Sequence, residues 1–265
     1  MQARPSGTWT FIGTFAVIAC IGVVTASLMS AQAEPAATVE AKEKPSAFAG
    51  YDAMLREWVD ADGLVNYDAI FADSSRLDAY IAYLATADLD ALSDDARLAT
   101  LINAYNAFTL RLIADYPQVD SIFDIPEDER WVHARWNLGG RTVSLDELEH
   151  RIIRVDFDEP RIHWAVVCAA ISCPPLRPEA YTAERLDEQL ADQERIVHTS
   201  PKWQQFDASA NVLKLSPLYD WYGVDFGDGS PAAIVANVAP YVDGLDAGDS
   251  PKLDWLHYDW ALNTQ

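Results

Sequence analysis

The chain has 265 residues, half of them hydrophobic, and a formal net charge of −22 at pH 7. Nine Trp and eleven Tyr favour a packed globule over a disordered chain, and the length allows one large domain or two small ones. The negative charge argues against nucleic-acid binding, because a polyanion needs a basic face, and against docking on anionic lipid. The acidic field could attract a cationic substrate, and this hypothesis is kept as an alternative to a simple role in solubility.

The first 33 residues have the pattern of a targeting segment. Arg4 is the only charged side chain, residues 11–29 are nearly all apolar, and Ala31-Gln32-Ala33 fits a small-x-small cleavage site. The pattern predicts a signal peptide over 1–33. An uncleaved membrane anchor is the first alternative, and a lipoprotein modified at Cys20 is the second. All three place the domain outside the cytoplasm, either periplasmic or secreted, with membrane contact only through an uncleaved N-terminal segment.

Residues 34–46 are small and charged and predict a flexible tether, whereas 47–265 predict a single domain. Helix signals dominate the first half of this domain. Apolar residues recur with a period of 3.6, and Ser93 is a predicted N-cap for a helix that runs to about Tyr116. The helices expected here span about 51–59, 77–84 and 93–116, with a short strand at 64–67 and a helical turn at 121–125.

The second half mixes strands with helices. Gly139-Gly140 predicts a hairpin turn, and Ser144 with Glu147 predicts a capping box that opens a helix. The remaining expected elements are a buried strand at 162–167, a helix at 183–198, a strand at 211–215, a short helix at 216–222, a helix from Pro231 and a strand at 253–258. The pattern predicts an α+β fold, with a mainly helical layer packed on a small antiparallel sheet.

Residues 161–176 concentrate reactive side chains. His163, Cys168 and Cys173 come within eleven residues, and Pro174 and Pro175 stiffen the loop that follows. In an exported chain the two Cys residues could form a disulfide. They could also supply a nucleophile, with a nearby His as base. Metal binding is the third alternative, although Cys-x4-Cys is a weak zinc signal.

Two other segments offer partners for this stretch. Asn103 and Asn106 lie three residues apart on one face of a helix that is apolar nearly all round. Since buried amides need hydrogen-bond partners, these two either face a polar site or hydrogen-bond the helix to a neighbouring loop. Glu149 and His150 adjoin on a helix and do not form a His-Glu-x-x-His zinc motif. One of them could face the site, although a solvated, salt-bridged face is the simpler interpretation of Glu149.

These residues lead to three hypotheses. The first is a thiol-dependent hydrolase or acyltransferase acting on amide or peptide bonds. Its candidate catalytic residues are Cys168 or Cys173 as nucleophile, His163 or His150 as base, and Asn103 or Asn106 as orienter, with Glu149 nearby. The second is a non-enzymatic envelope binding module with a Cys168–Cys173 disulfide, and the third is a metal-binding protein. No cofactor is predicted, although zinc is possible, and the partner would be an envelope component or a small-molecule substrate.

Several segments together resemble the bacterial and plant family called domain of unknown function 547. The resemblance covers most of residues 50–262 and implies a domain that is often secreted in bacteria, without an agreed activity. Ala169 stands where the family is expected to favour Gly. The segments that carry the resemblance are Asn103-Ala-Tyr-Asn106-Ala-Phe-Thr-Leu110, Ser144-Leu-Asp-Glu-Leu-Glu149-His150, residues 161–176, Leu215-Ser-Pro-Leu-Tyr-Asp-Trp221-Tyr222 and Tyr258-Asp-Trp260.

Overall fold

Helices and short helical turns make up most of residues 37–265, the part of the chain that the computed structural model describes. The α-helices in chain order are α1 (Ala37–Trp58), α2 (Tyr67–Ala72), α3 (Ser75–Ala85), α4 (Asp94–Asp115), α5 (Glu127–Arg130), α6 (Leu145–Glu147), α7 (Arg154–Asp156), α8 (Leu186–Thr199), α9 (Leu218–Trp221) and α10 (Pro231–Val238). A π-helix, Leu148–Ile153, joins α6 to α7. The 3₁₀ turns are Leu89–Ala91, Ile122–Asp124, Pro160–Trp164, Ala183–Arg185, Gly223–Phe226 and Ala239–Tyr241.

The strands form two small sheets. Strands β1 (Trp136–Leu138) and β2 (Arg141–Val143) make the predicted antiparallel hairpin, in which Trp136 pairs with Val143. Gly139 and Gly140 form its turn with φ angles of 56° and 77°, a left-handed conformation that costs glycine little. The second sheet has the order β3 (Gln204–Asp207), β4 (Val212–Leu215) and β5 (Lys252–Trp255). The α+β class is therefore confirmed.

The second sheet differs in detail from the expectation. β3 pairs with β4 antiparallel, but β4 pairs with β5 in parallel, so this sheet is mixed. β3 was not predicted, because Gln204-Gln205-Phe206-Asp207 lacks the β-branched run that typically marks a strand. The apolar side chains of Leu213 and Leu215 in β4 are fully buried, which anchors the sheet on the helical core.

Helix α4 lies at the centre of the fold. Ser93 caps it through a hydrogen bond from the Ala96 amide, as the sequence predicts, and nearly every residue from Leu98 to Ile113 is buried. Helices α2, α3 and α6 all contact it. A helix that is apolar all round needs such a shell, because leaving Phe108 or Leu112 in water would cost about 1.5 to 3 kcal/mol each.

Residues 256–265 connect distant parts of the domain. The Ile171 amide donates to the carbonyl of Ala261, and the Asn263 amide donates to the carbonyl of Ala169. At the other side, the Val65 amide donates to the carbonyl of Asn263, and the Tyr67 hydroxyl donates to its side-chain oxygen at 2.8 Å. This segment therefore links the loop after Cys168 to the region between α1 and α2.

The amino-terminal predictions meet the structure only in part. The signal peptide over 1–33 lies outside the described residues, as do residues 34–36. Helix α1 begins at Ala37, so residues 37–46 are helical where the sequence predicted a tether. Ala, Glu and Lys in this stretch are good helix formers. Among the helices of residues 37–265, none combines the length and the apolar composition needed to cross a bilayer.

Candidate functional site

A cleft of about 280 Å³ gathers five of the seven predicted site residues. These five are Glu149, His150, His163, Cys168 and Cys173. The other lining residues are aromatic or apolar, apart from one acidic side chain; they are Tyr105, Trp131, Asp146, Val166, Pro174, Leu218, Trp221, Tyr222, Tyr258 and Trp260.

Asn103 and Asn106 do not line this cleft. The Asn103 amide donates to the carbonyl of Tyr181 at 2.8 Å, and its oxygen accepts from the Tyr181 amide at 2.9 Å. Asn106 bonds in the same way with the carbonyl of Ala165 and the amide of Val167, at 2.9 Å each. Both side chains therefore brace α4 against loops. The catalytic role that the sequence offered them finds no support in this geometry.

The segment before the cysteines is not the predicted strand. Residues Pro160–Trp164 form a 3₁₀ turn in which Pro160 is at the first position, and the Ala165 amide bonds to the carbonyl of Ile162 at 2.9 Å. Short apolar runs do not distinguish strand from buried helix by periodicity. The turn packs on α8 and directs the His163 side chain toward the cleft.

His163 is bonded to a carboxylate that the sequence did not single out. Its Nε2 lies 2.7 Å from Oδ2 of Asp225, and its ring stacks on Tyr222 with centroids 4.1 Å apart. Only 1% of the His163 side chain is exposed. Burial lowers the pKa of His163, while the hydrogen bond to Asp225 opposes this effect. The ring is therefore neutral at neutral pH, and it donates from Nε2 to the carboxylate.

Arg154 completes this network. Its Nε and Nη2 bind the two carboxylate oxygens of Asp225 at 2.6 and 2.9 Å. Burial would raise the pKa of Asp225, but the hydrogen bonds from Arg154 and His163 lower it below its ordinary value. Arg154 Nη1 also lies 3.1 Å from Nδ1 of His150. Since guanidinium nitrogens only donate, this His150 nitrogen must be an acceptor without a hydrogen.

Glu149 lies on the π-helix and is 7% exposed. π-Helical turns are rare and frequently coincide with functional sites. Three tyrosines surround this carboxylate, namely Tyr105, Tyr222 and Tyr258. Burial raises the pKa of each of them, and the negative charge of Glu149 raises it further. All three hydroxyls are therefore protonated near neutral pH and can donate hydrogen bonds. The interpretation of Glu149 as part of a solvated, salt-bridged face is wrong, because the side chain is buried and lines the cleft.

The two cysteines have their sulfur atoms at disulfide-bonding distance. The Cys168 amide donates to Cys173 Sγ at 3.0 Å, and the Tyr258 hydroxyl lies 3.2 Å from Cys173 Sγ and 3.4 Å from Cys168 Sγ. Ala169 has a φ of 63°, in the left-handed region. The tight turn after Cys168 thus exists with Ala at the position where the family is expected to favour Gly.

An aromatic wall stands beside these polar groups, and we use this name for Trp131, Trp221, Tyr258 and Trp260. Trp260 packs against the other three, with ring centroids 6.2, 5.8 and 4.5 Å away. Trp221 is 44% exposed, so the wall presents an aromatic face to solvent. Sequence analysis missed Trp131 and Asp225 as site residues. One Asp among many acidic residues carries no local signal.

Metal binding receives no geometric support. No group of three or more His, Cys, Asp or Glu side chains that could hold an ion occurs in the described part of the chain. His150 and His163 face Arg154 and Asp225, and the two sulfurs face each other.

Comparison with known families identifies one segment. Residues 89–196 match the family model described as "Protein of unknown function, DUF547". The resemblance predicted from the motifs is confirmed over this segment. The DUF547 match includes Glu149, His163 and both cysteines of the cleft, whereas Asp225 and most of the aromatic wall lie beyond it. No curated protein and no solved structure matches the chain.

Proposed function

We propose that the protein binds a small organic ligand in the cleft, and that Cys168 and Cys173 form a structural disulfide in the cleft wall. The observation that carries the proposal is the position of both sulfurs, at bonding distance from each other inside a cleft. A sulfur bonded to another sulfur is not a thiolate, and only the thiolate is nucleophilic.

The composition of the cleft supports ligand binding. Small-molecule sites are concave and mostly apolar or aromatic, with a few polar groups that fix orientation. Here the aromatic wall supplies the apolar surface, while Glu149, His163 and the tyrosine hydroxyls supply the polar groups. His163 is also equipped to accept a proton, since it is neutral and oriented by Asp225.

The proposed location follows from the amino-terminal sequence. The apolar run and the cleavage pattern over 1–33 support export to the periplasm or beyond, with an uncleaved anchor as alternative. Oxidising compartments favour a disulfide between Cys168 and Cys173. The partner we propose is a small molecule, and the acidic chain gives no basis for binding nucleic acid.

A fragment screen tests the binding proposal. Ligand-observed NMR on the exported domain should find fragments whose binding weakens in Trp221→Ala. Trp255→Ala is the matched control, because Trp255 is also partly exposed but does not line the cleft. Failure to find any fragment, or equal binding by all three proteins, would overturn the proposal.

Mass spectrometry tests the disulfide. The intact mass of the protein purified without reductant should be lower than the reduced mass by two hydrogen atoms. Iodoacetamide should label neither cysteine before reduction and both after reduction and unfolding. Labelling of Cys168 in the native protein without reductant would contradict a structural disulfide.

A second candidate is thiol-dependent acyl transfer, favoured by the cleft that the cysteines share with His163 and by the hydrogen bond from His163 to Asp225. A dithiol would first reduce the disulfide and become oxidised to its own disulfide. Cys168, the more exposed cysteine, would then lose its proton to His163 and attack an amide carbonyl. His163 would pass that proton to the leaving amine, and water would hydrolyse the thioester to a carboxylic acid and a free thiol. Asp225 takes the orienting role that the sequence offered to Asn103 or Asn106.

The rate at which iodoacetamide alkylates the reduced protein tests this candidate. An activated Cys168 should react faster than a small free thiol at pH 7, and His163→Asn should remove the difference. Reaction at the rate of a small free thiol would exclude the thiol enzyme while leaving the binding proposal intact.

A further inference from the structure

We infer that the ligand of the cleft is an organic cation whose charged group is bound by Glu149. This inference rests on the proposed binding function and names the class of ligand. Its starting point is a buried carboxylate that lines the cleft, with 9% of its side chain exposed. Burying a charge costs free energy unless an opposite charge or good hydrogen bonds compensate it.

Among the described residues, no Lys or Arg side chain lies within salt-bridge distance of Glu149. Within that distance lies His150, whose Nδ1 is 3.8 Å from Oε1 of Glu149. This nitrogen also lies 3.1 Å from Nη1 of Arg154, and it acts as the acceptor there because a guanidinium nitrogen only donates. Arg154 itself is committed to both carboxylate oxygens of Asp225. Arg154 therefore acts on Glu149 only from beyond salt-bridge distance, and Glu149 has no ammonium or guanidinium partner of its own among the described residues.

The tyrosines reduce the cost of this charge without neutralising it. The hydroxyls of Tyr105 and Tyr222 lie close enough to interact with the carboxylate. They are neutral donors, so they supply no opposite charge to the carboxylate. Asp146 also lines the cleft and adds to the negative potential.

The aromatic wall suits the same class of ligand. Aromatic faces are electron-rich and attract ammonium or guanidinium groups, most strongly when the face belongs to Trp. Trp221 and Trp260 stack within 19° of parallel, and Tyr258 lies against both rings. A cation between the wall and Glu149 would meet π faces on one side and a carboxylate on the other.

Charge also favours a cation over neutral and anionic ligands. A neutral sugar could stack on the wall, but it would leave Glu149 without an ionic partner at salt-bridge distance. An anionic ligand would meet Glu149, Asp146 and the field of a chain with net charge −22. The same field attracts cations and accelerates their encounter with the cleft.

Calorimetric titration with matched pairs of probes tests the inference. Each cation is compared with an uncharged analogue of similar shape: choline with 3,3-dimethylbutan-1-ol, 2-phenylethylamine with 2-phenylethanol, and phenylguanidine with phenylurea. At least one cation should bind the wild-type protein roughly ten-fold or more tightly than its neutral partner, the effect of about 1.4 kcal/mol.

Variants assign the effect to Glu149. Glu149→Gln should abolish the preference for the cation, with the neutral partner unaffected. Glu147→Gln is the control, because Glu147 lies on the adjoining turn, pairs with Arg141 and does not line the cleft. Circular dichroism and the melting temperature establish that each variant folds.

The outcomes separate this inference from the binding proposal. If fragments bind but no cation is preferred over its neutral partner, or if Glu149→Gln keeps the preference, the cation inference is wrong and the binding cleft stands. If sugars bind through Trp221 while cations do not, the inference is likewise wrong. If neither probes nor fragments bind, the proposed function fails as well.

Discussion

His163 Nε2 lies 2.7 Å from Oδ2 of Asp225, although 62 residues separate them in the chain. The 3₁₀ turn Pro160–Trp164 presents the histidine, and the 3₁₀ turn Gly223–Phe226 presents the aspartate. Arg154 holds the other side of the same carboxylate. The pair thus fixes the imidazole orientation at the cleft, while burial keeps the ring neutral.

Asp225→Asn should lower the pKa of His163 further. The carboxylate favours the charged imidazolium and so raises the pKa of His163. When its charge is removed, the lowering of this pKa by burial is no longer opposed by the carboxylate. The shift can be measured from the pH dependence of the His163 ring carbon and proton signals by NMR. Asp220→Asn, at an exposed position, is the control and should leave that titration unchanged. Equal His163 titration in Asp225→Asn and wild type would refute the role assigned to Asp225.

Acid should destabilise the protein through His198. This buried ring bonds to Tyr219 and to the carbonyl of Glu194, and burial lowers its pKa from 6.5 to about 4. Between these pH values the unfolded chain binds more protons than the folded protein. The free energy of unfolding should therefore fall as pH decreases through this window, by about 3 kcal/mol for this group.

Urea denaturation at several pH values measures this contribution. Burial also lowers the pKa of His163, which acts in the same direction, and raises the pKa of Glu194, which acts in the opposite direction. Comparing the pH dependence of the unfolding free energy between the wild-type protein and His198→Gln isolates the contribution of His198. The variant should be less stable at pH 7 but should lose less stability between pH 6.5 and 4. Parallel pH profiles would contradict the prediction.

Gly63→Ala should destabilise the protein much more than Gly140→Ala. Both glycines have a φ of +77°, a left-handed backbone conformation that costs Ala about 1 to 2 kcal/mol, so both substitutions should lower the free energy of unfolding by that amount. A Cβ at Gly63 would also lie 2.6 Å from Cα of Pro175, whereas a Cβ at Gly140 would meet nothing within 4 Å. The difference in unfolding free energy should reach about 2 kcal/mol or more, since the clash involves backbone. Similar melting temperatures would argue against this close approach.

Asn106→Ala should destabilise the fold by about 2 to 4 kcal/mol, because it leaves the buried carbonyl of Ala165 and the buried amide of Val167 without their hydrogen-bond partner. Asn137→Ala is the control and should cost less than about 1 kcal/mol, since Asn137 is exposed on the hairpin. Chemical denaturation measures both. An Asn106→Ala protein that keeps full stability but loses ligand binding would restore the site role that the sequence proposed for this residue.

Local signals predicted much of the fold. Ser93 begins α4, Gly139 and Gly140 turn the hairpin, and Pro231 opens α10, because each of these residues acts on the backbone within a few positions. The region 162–167 was predicted wrongly, since an apolar run there satisfies either a strand or a buried turn.

The site was predicted less completely than the fold. His163 and the cysteines carry distinctive chemistry close together, so sequence alone singled them out. Trp131 reaches the cleft, and Asp225 reaches His163, only through tertiary folding, and nothing in their sequence neighbours marks them. Sequence offers two interpretations of Glu149, a site residue or a solvated face, and does not reveal the π-helix on which this buried side chain lies.

The segment 256–265 has a consequence for how the cleft assembles. It supplies Tyr258 and Trp260 and is held by backbone hydrogen bonds to the cysteine loop and to Val65, nearly 200 residues earlier. We expect contacts of such long sequence separation to form late in folding, because closing a long loop costs conformational entropy before the contacts themselves stabilise the chain. The cleft therefore exists only in the fully folded unit. A ligand bound there would raise the melting temperature of that unit, and the rise would grow with the logarithm of the free ligand concentration above the Kd, so thermal stability itself reports binding.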